Sequence, residues 1–103
     1  MGLRHVVLLT LDDDCDVDAA VDALRALPAA IPELRSYVVG RDAGLAAGNA
    51  TIAVVADFDD EAGWATYRDH PAHRQVIAER LQPWLLARTA LQHRTEASKH
   101  QDQ

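Results

Sequence analysis

At 103 residues the chain is one domain long, and its formal net charge of −6, with 49% apolar and 25% charged residues, is a globular, acidic balance. Ten basic residues, nine of them arginine, are scattered along the sequence, which argues against a nucleic-acid partner because phosphate backbones call for clustered Lys and Arg. A single cysteine, Cys15, excludes an internal disulfide, and no apolar run is long enough for a signal-peptide core or a bilayer span, so a cytoplasmic protein with no membrane partner is expected.

Residues 3–11 are aliphatic and β-branched and predict a strand buried on both faces. Alternation sets His5, Val7, Leu9 and Leu11 against Arg4, Val6, Leu8 and Thr10. Asp12-Asp13-Asp14 reads as a solvated turn; a metal loop is the sharper alternative, but the run lacks regular carboxylate spacing and a later Glu. Asp16 is the expected N-cap of a helix with apolar positions Val17, Ala20, Val21, Leu24 and Leu27, closed by Pro28 and Pro32. A second strand is expected over 34–41, a surface loop over 42–49 and a third, central strand over 50–58. Asp59, Asp60 and Glu61 place negative charge at the start of a short helix over about 60–69. Pro71 then suits the first position of a new helix, whose apolar face is Val76, Ile77, Leu81, Trp84 and Leu85, with Pro83 kinking or ending it. A last strand is expected over 86–94, which makes 1–94 the domain and 95–103 a polar, flexible tail. The Arg-over-Lys bias, with abundant Ala, fits a GC-rich bacterial genome.

The order is β-α-β-β-α-β, the ferredoxin-like arrangement of the α+β class, with a four-stranded antiparallel sheet and helices on one face. Strands apolar on both faces leave the second face in need of cover, and a second copy of the same sheet supplies it, so a homodimer is expected.

The residues with chemical capacity concentrate in Trp64 to His73. His73 shares a helix face with Val76 and Ile77, which turns it toward the apolar interior, and Tyr67 follows Trp64 by one helical turn. A phenol and an imidazole converging on an apolar cavity can polarise a carbonyl and remove an adjacent proton. The competing reading makes His73 a satisfied core histidine, Tyr67 a packing residue and His70 a helix cap. His5 is either a rim residue or a second pocket donor. Val7 and Leu9 on its face, with Trp64 and Ile77, complete the candidate ligand-binding set. His70 and His73 have no clear third partner for a metal, so no metal site is expected. Cys15 sits among carboxylates that disfavour its thiolate, and no phosphate loop or nucleophile elbow is present.

Several blocks together resemble the stress-responsive dimeric A/B barrel (Dabb) family: His5-Val-Val-Leu-Leu9, Ile31-Pro-Glu-Leu34, Val39-Gly-Arg-Asp42, Val54-Val-Ala-Asp-Phe-Asp59 and, most specific, Tyr67-Arg-Asp-His-Pro-Ala-His73. The resemblance implies a ferredoxin-like fold paired into a dimeric α+β barrel, a hydrophobic cavity in each subunit, no cofactor and, for most members, no assigned reaction. It is distantly similar to olivetolic acid cyclase, a plant member that uses the tyrosine and second histidine of this block. By that likeness Tyr67 and His73 are the catalytic candidates for a polyketide-type aldol closure. The helix after Asp16 and the loop at Gly44–Asn49 depart from that cyclase, so substrate does not carry over. Kinship to cofactor-free monooxygenases rests on fold alone.

Overall fold

A computed structural model describes residues 2–95. Its regular elements are β1 (Gly2–Leu11), α1 (Val17–Arg25), β2 (Ser36–Arg41), β3 (Ile52–Phe58), α2 (Glu61–Asp69), α3 (Pro71–Val76) and β4 (Leu85–Thr95). The four strands form one antiparallel sheet in the order β2-β3-β1-β4, the ferredoxin-like order expected from the sequence. Thr95, placed in the tail by its polarity, is the last residue of β4 and pairs with Gly2; the rest of the expected tail, 96–103, lies outside the described residues.

The central strand β1 differs from expectation in one respect that shapes everything else. Leu3, His5, Val7, Leu9 and Leu11 are buried, whereas Arg4, Val6, Leu8 and Thr10 on the opposite face are at least partly exposed. The helices cover only the first of these faces. Cross-strand register extends the inward row to Ala56, Val54 and Ile52 on β3 and to Gln92, Ala90 and Arg88 on β4. The outward row runs through Val38, Val55, Val6 and Leu91. The aliphatic character of both rows is real, but within one chain only the inward row finds a core.

Local chemistry sets the helices. The Asp16 carboxylate accepts from the Ala19 N–H at 3.1 Å and starts α1, which turns Val17, Ala20, Val21 and Leu24 onto the sheet. Asp60 does the same for α2 through the Gly63 N–H at 2.9 Å. Pro71 disfavours helical backbone at the residue before it, so His70 is extended (φ −63°, ψ 134°); it closes α2 and also caps α3, its Nδ1 accepting from the Ala72 N–H at 3.1 Å. The single helix expected from Pro71 toward Leu85 is cut into pieces. After α3 the chain widens into a π turn over Ile77–Leu81 and tightens into a 3₁₀ turn over Gln82–Trp84. Pro83 is the cause, since it has no N–H to give back and its ring collides with the carbonyl four residues earlier. Strands β2 and β3 each start two residues later than expected. Leu34 is still held in a turn by its N–H to the Ile31 carbonyl, 3.2 Å.

Candidate functional site

Between the inward row of the sheet and the helices lies a cavity of about 310 Å³, within the size range of small-molecule pockets. All seven residues singled out by the sequence line it: His5, Val7, Leu9, Trp64, Tyr67, His73 and Ile77. Strand β1 supplies His5, Val7 and Leu9 from alternate positions, α2 supplies Trp64 and Tyr67 one turn apart, and α3 with its π continuation supplies His73 and Ile77. The break at His70-Pro71 is what folds α3 back so that the His73 ring lies against Tyr67, with centroids 4.1 Å apart. His5, 5% exposed, is a pocket residue and not a rim residue.

The polar atoms divide into donors and acceptors. His73 Nδ1 lies 3.2 Å from the Arg68 carbonyl, which can only accept, so Nδ1 carries the proton and Nε2 of the neutral ring keeps its lone pair. His5 has the opposite tautomer: the Gln92 amide N–H donates to His5 Nδ1 at 2.8 Å, leaving Nε2 as the N–H donor. Both rings are held neutral. Burial, then the charges of Arg88 and His73, push His5 down to about 4. Burial also lowers His73, against the upward pull of its bond to the Arg68 carbonyl.

Tyr67, 3% exposed, meets the Tyr37 hydroxyl at 2.9 Å. Tyr37 does not line the cavity, and Tyr67 is the single acceptor its hydroxyl meets among the described residues. Either hydroxyl can donate in this pair; with Tyr37 donating, the Tyr67 proton is available to a ligand. Burial raises both phenols, so Tyr67 is a donor and not a phenolate at neutral pH. The alternative expectation for Tyr67, a packing residue with a bonded hydroxyl, describes its ring against Phe58 (5.3 Å) and its bond to Tyr37. The cap role expected for His70 is observed.

Sequence reasoning missed Tyr37, Gln92, Arg68 and Arg88. Gln92 and Arg88 were legible as same-face neighbours on the last strand, but nothing in the alternation says which face turns inward. Tyr37 carries no local signal, because its partner lies thirty residues away. Cys15 is buried with its thiol pushed up by burial and by Asp16 and Asp12, in line with its dismissal as a nucleophile. No cluster of metal-ligating side chains occurs among the described residues, and no described helix is long and apolar enough to cross a membrane.

The model of one family, the stress responsive A/B barrel domain (Dabb), matches residues 3–92. The chain belongs to the Dabb family. Among solved structures, this Dabb chain is similar to a dimeric ferredoxin-like protein of unknown function from Thermobifida fusca, with 48% identity, 90% of each chain covered and a TM-score of 0.81. A dimeric ferredoxin-like protein of unknown function from Bacteroides fragilis has 25% identity over 91% of this chain and 96% of its own, with a TM-score of 0.81. The hydroxynitrile lyase of Passiflora edulis shares the Dabb fold at 19% identity, covering 89% of this chain and 91% of its own, with a TM-score of 0.75. No curated protein matches the chain.

Proposed function

We propose that this Dabb chain works as a homodimer whose subunits each bind a small, largely apolar carbonyl compound in the cavity beneath the helices, without a cofactor. The observation that carries the reading is the convergence of a neutral imidazole and a phenol on one apolar-walled cavity, their rings tilted at 36° with centroids 4.1 Å apart. Such a pocket orients a ligand through a few convergent polar groups while its Leu, Val and Ile walls exclude water. The dimer is supported by the uncovered apolar sheet face and by the dimeric description of the relatives from Thermobifida fusca and Bacteroides fragilis.

A second reading, turnover as a cofactor-independent cyclase, is favoured by the free Nε2 of His73. That atom takes the proton from a carbon α to a carbonyl, the electron pair moves into the enolate, and the Tyr67 hydroxyl holds the developing oxygen charge. The enolate carbon then bonds to a second carbonyl of the same molecule, whose oxygen recovers the proton from His73. Each group of this kind contributes about 10²–10⁴-fold to a rate. A monooxygenase has no comparable atom arrangement in its favour.

The test is native mass spectrometry for a retained small molecule, followed by His73→Ala and Tyr67→Phe. Both variants are expected to stay folded by circular dichroism and to lose the retained molecule or, under the second reading, its conversion. Unfolding of both, or unaltered binding and conversion in both, refutes the site.

A further inference from the structure

The charge lining the cavity is opposite to the charge of the chain. The sequence holds sixteen acidic and ten basic residues, yet among the described residues the cavity wall carries Arg68, Arg88 and two histidines and not one carboxylate. Arg68 is already engaged: it forks onto Asp69 at 2.9 Å and lies 4.9 Å over the Trp64 ring. Arg88 has no ion-pair partner among the described residues. It sits opposite Leu9 on the inward row of β4, where the other polar side chains have partners, Gln92 on His5 and Arg94 on Glu61. Among the described residues five of the nine arginines form ion pairs, Arg25 donates to the Val39 carbonyl, and Arg88 is the one remaining arginine that lines the cavity. Ala90, opposite Val7, is the next inward residue on β4 and sets only a methyl group between Arg88 and Gln92. With both imidazoles neutral, the guanidinium is the fixed positive charge free to meet a ligand.

We infer that Arg88 is the specificity residue of this pocket and that the ligand is an amphiphilic carboxylate, its apolar body against Leu9, Val54 and Ile77 and its carboxylate forked on the guanidinium. The inference rests on the cavity being a small-molecule pocket and adds the ligand's class to that reading. A planar five-donor fork matches a carboxylate in both shape and charge, and from its exposed position on β4 Arg88 meets that carboxylate at the mouth of the cavity while the apolar body lies within.

Calorimetric titration of the full chain at neutral pH with octanoate and with octanamide, which differ in charge but little in shape, separates the two claims. Octanoate is expected to bind about tenfold tighter or more, by a margin that shrinks as salt rises. Arg88→Gln is expected to bring the two affinities together, and Arg88→Lys to restore part of the difference. Equal affinities in the wild type, or a preference that survives Arg88→Gln, overturns the carboxylate assignment while octanamide binding still supports the pocket. If the folded wild type binds neither probe, the pocket reading fails and the assignment falls with it.

Discussion

His5 is a polar side chain in the inward row of the central strand, and its cost is set by pH. The unfolded chain protonates this imidazole near 6.5, whereas burial, with help from Arg88 and His73, holds the folded-state value near 4. Between those values the unfolded state binds more protons, so stability falls as pH drops through that window, by about 3 kcal/mol from this group alone. His73, lowered in the same direction, adds to the slope. The Arg4 guanidinium holds the Asp57 carboxyl below its ordinary 3.8, so that contribution is lost only at lower pH and leaves the histidine window clear. Urea midpoints measured across pH 6.5 to 4 are expected to decline in the wild type and to decline less in His5→Gln, which keeps an amide opposite Gln92. An equal decline in the two proteins would assign the sensitivity to other groups.

At the scale of elements, the site depends on where α2 stops. Were α2 to continue straight through His70, His73 would sit about one and two-thirds turns beyond Tyr67 and the two rings would face different ways. Pro71 forces the break and the His70 imidazole caps the new helix, so His70→Ala is expected to cost about 1 kcal/mol by thermal unfolding, and His70→Asn, a good cap, much less. Equal losses for Ala and Asn would show that His70 acts by packing and not as a cap. This break was legible in advance, because Pro71 and the caps Asp16 and Asp60 act through neighbours in sequence. The seven cavity residues were legible for the same kind of reason, period-two alternation on β1 and helical spacing from Trp64 to Ile77. What sequence periodicity could not supply was the inward side of β4, since Leu86, Arg88, Ala90 and Gln92 alternate as convincingly as the row facing away. Nor could it supply the π turn at Ile77–Leu81, which answers to a proline six residues after its start.

For the whole molecule the question is what covers the outward sheet face. Val38 is 60%, Leu91 55% and Leu8 43% exposed, and they lie with Val6 and Val55 across all four strands. A stable dimer buries roughly 1,200–2,000 Å² in total, and a four-stranded face of aliphatic side chains set against its own copy is a surface of that kind. A two-fold axis sets the same face of one copy against that of the other, so each introduced charge is present twice in one apolar interface. Val38→Glu combined with Leu91→Glu therefore buries like charges without partners, and the cost of each uncompensated ion is several kcal/mol. By light scattering the wild type is expected at twice 11.3 kDa and the double variant at 11.3 kDa. A wild type that stays monomeric as its concentration rises would remove the dimer. It would not by itself remove the cavity, because the residues that line it in one chain stand on the opposite face of the sheet. In the proposed dimer the partner's role is then energetic: it takes the outward row out of water. Loss of ligand affinity in the monomeric variant is accordingly expected to track its loss of stability, and recovery of binding when the monomer is stabilised by added sucrose would separate that indirect role from a direct one.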